Sequence, residues 1–277
     1  MIARFYSGTN VTELASSGAA TATLPSGLHM VPGAYLVDGL PYQCNSPGLY
    51  RWFNPDTGVC KQRVCWTNDI ASYVSAWSWM HMDGKREDGL DIATLQNTAR
   101  SQMLSMSCGY IADLLRQLIL QWPFPARLVQ MSTADTPNGY DDGHIVVEEK
   151  STGAWRLWDV TNGCCFTDGT NHLSLKGIID LGVANCTRVN MSEKRVSYGL
   201  ATMAAGTFDY GLWHEFLFAN SGQVDAWCER IYRIPSVKAN GVWSAYMPSG
   251  TESRQSWMQA QGFTILTKAA WESAFYP

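Results

Sequence analysis

Charge is scarce in this chain. Asp, Glu, Lys and Arg make up 16% of its 277 residues, and the formal net charge is −4. A protein that grips a nucleic-acid backbone needs clustered Lys and Arg, and no basic run occurs, so that partner class is set aside. Long apolar runs are missing too. No stretch approaches the roughly 18 apolar residues that span a bilayer as a helix. The first twenty residues carry one Arg among Ser, Thr and Gly and lack the apolar segment of a signal peptide. The expectation is a protein made without Sec-type export, placed in the cytoplasm or on a virion, with no membrane contact. Metal-type cysteine spacing is also absent. The eight cysteines (44, 60, 65, 108, 164, 165, 186 and 228) contain no Cys-x-x-Cys pair, and no His pair follows Cys44, Cys60 and Cys65 at zinc-ligand distance. No metal or organic cofactor is expected, and reduced thiols are the default. Cys164 and Cys165 read as small hydrophobes rather than a redox pair.

Apolar residues are plentiful, at 46% of the chain, so a sizeable core can be buried. The length allows one large domain with appendages or two modest domains. Twelve Trp residues are read chiefly as core, with an extended binding surface as the alternative. Residues 1–62 alternate short apolar stretches with turn signals such as Asn54-Pro55-Asp56-Thr57-Gly58. They are expected to form an N-terminal β-rich arm or small module. Residues 63–220 are expected to hold the main core, and residues 221–277 a C-terminal extension of undefined form.

Helical spacing begins after residue 64. Ile70, Val74, Trp77 and Met80 recur at that spacing within 65–82, and a second helix is predicted over about 91–104. After the Ser105-Met106-Ser107 interruption, a third helix begins at or just before Cys108 and runs to about Trp122. Its apolar stripe is Ile111, Leu114, Leu115, Leu118 and Ile119, and Pro123 and Pro125 stop it. Strands are predicted over 126–132, 144–149 and 154–160, the last two joined at Ser151-Thr152-Gly153. Further helices are predicted over 210–219 and 221–232, and the last forty residues show no clear period.

Three segments bring catalytic residue types together. They are Met106-Ser-Cys-Gly-Tyr-Ile-Ala-Asp-Leu-Leu115, Asp142-Gly-His-Ile-Val-Val-Glu148 and Ala154-Trp-Arg-Leu-Trp-Asp-Val-Thr161. A thiol attacks as its thiolate, which a helix N-terminus or a neighbouring imidazolium favours. Cys108 falls in the first turn of a predicted helix. His144 opens a strand, and a hairpin carries Asp159 back beside it, within reach of the far imidazole nitrogen. The order is nucleophile, base, orienting acid: Cys108, His144, Asp159.

With Phe124-Pro-Ala-Arg-Leu-Val129 leading into the first strand, these motifs resemble the transglutaminase-like superfamily of the papain-related fold. That family shows a Cys at a helix start, a Gly/Pro-Ala-Arg strand start, His-x-Trp-Val-Glu and Trp-x-x-x-Asp-x-Thr. The likeness covers roughly residues 64–165, about a third of the chain. Ile145 and Val146 replace the usual small residue and Trp, and Gly109 follows the cysteine. The resemblance implies an α+β, papain-like core in which the helix bearing Cys108 packs on an antiparallel sheet bearing His144 and Asp159. It also implies attack of Cys108 on an amide carbonyl of a peptide or protein, and a thioester resolved by water or by an amine. Hydrolysis is the preferred outcome. The oxyanion would be held by the Cys108 backbone N–H and one further donor, for which Gln102 is a candidate by analogy and a solvated helix residue otherwise.

Other polar residues are expected to be plainer. His29, His81, His172 and His214 receive no catalytic role. Asp141 and Asp142 read as a solvated loop that could also raise the basicity of His144, and Glu148 and Glu149 read as exposed strand charges. The alternative function is a structural or binding component of a larger assembly, for example a phage particle, docking through the arm and the aromatic C-terminal stretch.

Overall fold

The computed structural model describes residues 81–98, 104–137, 142–190 and 221–277, the positions Ile70, Val74, Trp77 and Ser78, and the strands within residues 2–66 without their side chains. The expected helix over 210–219 and the residues Gln102, Asp141 and His214 lie outside these described positions, and His29 is described by its backbone alone, in the strand His29–Met30. The chain divides into two compact units. One comprises Met1–Ser107 and Met191–Leu217, the other Cys108–Asn190 and Phe218–Pro277. The described structure is mixed α and β, with a mostly antiparallel main sheet.

In the first unit, strands Asn10–Ala15, Ile2–Ser7, Tyr50–Phe53 and Cys60–Arg63 form a sheet in that spatial order. Ile70, Val74 and Trp77 are helical and buried, as their spacing predicts. The flanks differ from expectation, because Cys65–Trp66 and His81–Asp83 are strands. The second predicted helix is also shorter. It spans Ile92–Thr98, where Asp91 caps it by accepting from Thr94 N (3.0 Å) and Thr94 Oγ (2.6 Å). Leu104–Met106 is instead a strand, paired in parallel with His81–Asp83. All three of its residues are buried, and a run this short carries no period that separates strand from helix.

The second unit is built on a six-stranded sheet. Its strands are β1 (Ala126–Ser132), β2 (Gly143–Glu149), β3 (Arg156–Trp158), β6 (Ile234–Ala239), β7 (Val242–Tyr246) and β8 (Thr264–Leu266). The spatial order is β3-β2-β1-β6-β7-β8, antiparallel except for β7 with β8. β4 (Cys164–Thr167) and β5 (Thr187–Asn190) make a separate antiparallel pair. The last fifty-seven residues thus supply half of the main sheet and are continuous with β1.

Helix α1 (Cys108–Ile119) packs on β1 and β2 through its predicted stripe. Ile111, Leu114, Leu115, Leu118 and Ile119 are each at most 1% exposed, so the apolar face is wholly shut from water. Burying five such side chains contributes on the order of 10 kcal/mol before conformational entropy is subtracted. Helices α2 (Leu175–Leu181), α3 (Ser221–Ile231), α4 (Gln255–Ala260) and α5 (Lys268–Phe275) complete the unit.

Strand β2 is covered on both faces, which explains its run Ile-Val-Val in place of polar alternation. It also overturns the expectation that Glu148 and Glu149 are exposed, since both are fully buried. Each carboxylate is instead saturated with donors. Glu148 Oε2 accepts from Arg127 Nε (2.9 Å) and Nη2 (2.7 Å), and Oε1 from Leu175 N (2.6 Å). Tyr276 Oη adds a bond at 3.0 Å. Arg127 in turn lies between the rings of Trp155 (3.8 Å) and Tyr276 (4.4 Å) and donates to Phe275 O (2.7 Å). Glu149 accepts from Arg156, Trp158 Nε1 and Ser151 N. Burial works against its charge, but these bonds hold its carboxyl below the ordinary value.

Candidate active site

Cys108 is the first residue of α1, so its side chain sits at the positive end of the helix dipole. It is half-buried, and its thiol is close enough to the His144 imidazole to raise the basicity of the ring. His144 is the second residue of β2, opposite Met131 on β1, and is 2% exposed. The β2–β3 ladder ends at the pair Val147–Trp158. Continuing that register by one residue sets Asp159 beside Val146, two positions from His144 on the same face of the strand. The two side chains meet there, with His144 Nε2 donating to Asp159 Oδ2 at 3.0 Å inside the protein. Since Asp159 occupies Nε2, the nitrogen left for the thiol is Nδ1. The structure therefore brings all three predicted residues into one constellation, within one compact unit.

The predicted strand over 154–160 is shorter than expected, because the backbone turns immediately after Trp158. Asp159 forms an isolated bridge with Cys164, and the loop between them closes under its own side chain. Asp159 Oδ1 accepts from Asn162 N at 2.8 Å, and Oδ2 accepts from Asn162 Nδ2 at 2.7 Å. Gly163 follows with φ 61°, a left-handed geometry that glycine adopts without steric cost.

Burial disfavours a charged imidazole, yet the Asp159 carboxylate, its hydrogen bond and the Cys108 thiol outweigh it. Together they raise His144 to about 10. Burial likewise works against the Asp159 carboxylate, but the His144 charge and bond and the two Asn162 donors hold it below the ordinary value. Both shifts favour a protonated His144 beside an ionised Asp159. Behind Asp159, burial and the carboxylate's charge push the Cys164 and Cys228 thiols and the Tyr232 phenol well up, which keeps them neutral.

Three residues of this site escaped sequence reasoning: Asn162, Trp227 and Tyr232. Asp159-x-x-Asn162 is legible afterwards as a turn in which a carboxylate caps the backbone three residues on. Trp227, on α3, sets its ring edge-on to the His144 imidazole, with centroids 4.8 Å apart and planes at 75°. Nothing in the local spacing announces that contact, which spans 83 residues. Asp142 is also corrected, for it is 8% exposed rather than solvated. Its carbonyl accepts from Thr133 N at 3.1 Å, closing the loop that leads from β1 to His144.

The remaining cysteines among the described residues are unpaired in disulfide terms, and no cluster of three His, Cys, Asp or Glu side chains there is placed to hold a metal ion. His172 bonds Leu157 O and sets its ring edge-on to Trp158, and His81 bonds Met106 O; both serve the packing around them. No helix among the described residues is long and apolar enough to cross a membrane. No protein-family model matches the chain, and neither a curated protein nor a solved structure matches it.

Proposed function

We propose that the chain is a cysteine-dependent amide-bond enzyme on a papain-like, transglutaminase-like core, with Cys108 as nucleophile, His144 as acid–base and Asp159 as orienting acid. The observation that carries this reading is the buried His144–Asp159 hydrogen bond of 3.0 Å, with the imidazole also in reach of a thiol at a helix start. A purely structural protein has no use for a buried imidazolium facing a thiol.

The substrate is a peptide or protein amide. The Cys108 sulfur attacks the carbonyl carbon, and the oxyanion that forms is met by the Cys108 backbone N–H at the helix N-terminus. His144 gives its Nδ1 proton to the departing amine as the C–N bond breaks, leaving a thioester. Water then approaches, His144 takes its proton, and the C–S bond breaks to release the acid and restore the thiolate–imidazolium pair. An amine in place of water would give transamidation by the same steps. Hydrolysis is favoured by the resemblance to small transglutaminase-like proteins that lack large accessory domains.

The test is the rate of iodoacetamide alkylation at Cys108 from pH 4 to 9, followed by peptide mass spectrometry in wild type and His144→Ala. Fast labelling near pH 5 that collapses in the variant is the expected result. Labelling that rises only near the free-thiol value of about 8.5, and equally in both proteins, overturns the activated thiol. A peptide library incubated with wild type and Cys108→Ala then distinguishes cleavage from amine incorporation by product mass.

A further inference from the structure

We infer that Asn162 is a positioning residue of this site, acting on His144 through Asp159. The inference rests on the triad reading above but concerns a residue outside the triad. Asp159 is a buried carboxylate, and besides His144 it accepts from two donors of Asn162. The backbone N–H takes Oδ1. The side-chain amide takes Oδ2, the same oxygen that accepts from His144 Nε2.

The division matters because the two donors answer to different causes. Any residue except proline at 162 would keep the backbone bond, which with the Asp159–Cys164 bridge closes the turn. Only a side-chain donor of suitable length fills the second site on Oδ2. With that site filled, the carboxylate cannot rotate about its Cβ–Cγ bond without losing two charge-assisted hydrogen bonds together. The imidazole is then held with Nε2 on the carboxylate and Nδ1 toward Cys108. The groups facing Asp159 from the neighbouring elements are the Cys164 and Cys228 thiols and the Tyr232 phenol, all kept neutral by burial. None of them brings a competing charge; the Tyr232 phenol also lies against the carboxylate, and Asn162 and His144 supply its three hydrogen bonds of 3.0 Å or shorter.

Asn162→Ala removes the amide and leaves the backbone bond. Asn162→Asp is isosteric but replaces the donor with a second acid beside Oδ2. The first readout is the Cys108 alkylation profile from pH 4 to 9. Asn162→Ala is expected to label about tenfold more slowly near pH 5 and to approach wild type near pH 9, where an unassisted thiol ionises. Asn162→Asp is expected to lose more at pH 5. The second readout is the proton NMR signal of His144 Nε2–H in a Cys108→Ala background. It should be slow to exchange with water with Asn162 present, and broadened or lost in both variants.

Labelling reduced by one factor at every pH, with the His144 signal intact, would mean a merely structural role and overturn the inference. Unchanged profiles and signals would do the same. If wild type itself shows no labelling at low pH, the enzyme reading fails, while loss of the His144 signal in the variants would still establish the positioning role. Circular dichroism melts decide whether the alanine variant is folded, and the isosteric aspartate variant carries the test if it is not.

Discussion

Ile145 Cδ1 lies 3.1 Å from the point where a Cβ on Gly109 would stand. Ile145, next to His144, therefore fills the space that a side chain on Gly109, next to Cys108, would need. In sequence these are two separate departures from the transglutaminase-like pattern, thirty-six positions apart. In the fold they are one adjustment: a branched side chain on β2 that requires a bare helix turn on α1.

That relationship makes Gly109 and Ile145 energetically coupled. Alanine gains up to about 1 kcal/mol over glycine in a helix, but here its methyl must displace Ile145 Cδ1. Ile145→Val removes that atom, and the next contact, Ile145 Cβ, stands at a comfortable 4.0 Å. Gly109→Ala should therefore stabilise the Ile145→Val protein by more than it stabilises wild type, by about 0.5 kcal/mol or more. Urea midpoints of the four proteins check it, and strict additivity would show that the contact has no energetic content.

Arg127 and Glu148 make a second coupled pair, buried to 12% and 0% side-chain exposure. Arg127→Met strips a fully buried carboxylate of its cation and should cost about 3–5 kcal/mol. Adding Glu148→Gln removes the orphaned charge, while its amide still offers an acceptor to Leu175 N and a donor toward Tyr276 Oη. The double variant should recover more than half of the loss in urea unfolding. A double variant no more stable than the single would mean that Arg127 acts through its stacking on Trp155 and Tyr276 instead.

The legible parts of this protein are those whose signals are local. The period of Ile111, Leu114, Leu115, Leu118 and Ile119 belongs to one helix, and it placed Cys108 at the helix start. His144 and Asp159 could be brought together because one hairpin joins them. The misread parts depend on distant cover. Glu148 and Glu149 looked exposed because the groups that satisfy Glu148 include Tyr276, 128 residues away. Strand β6 was invisible for a different reason, since Pro235 and Ser236 interrupt the expected apolar pattern inside a strand that pairs on both sides. Pro235 is tolerated at its second position, close to where the ladder begins.

The raised His144 also makes stability depend on pH with a definite sign. The Cys108 thiol contributes to the shift in wild type, so the cleaner protein is Cys108→Ala, where Asp159 remains as its source. The unfolded imidazole releases its proton near 6.5, whereas the folded one keeps it to a higher pH, up to about 10 when the thiol also contributes. Over that window the native state binds the extra proton. Its stabilisation is complete below about pH 6.5 and is lost as pH rises, with a slope of at most about 1.4 kcal/mol per unit. Asp159 has the opposite sense: its folded value is depressed, so its contribution is present above about 3.9 and lost as pH falls further. Urea midpoints of Cys108→Ala and Cys108→Ala/Asp159→Asn from pH 5.5 to 9.5 isolate the pair, because every other titrating group is common to both. The first protein should lose stability more steeply than the second above pH 6.5. Parallel slopes would mean that His144 is neutral in the folded protein, and a neutral imidazole there removes the ion pair on which the proposed chemistry depends.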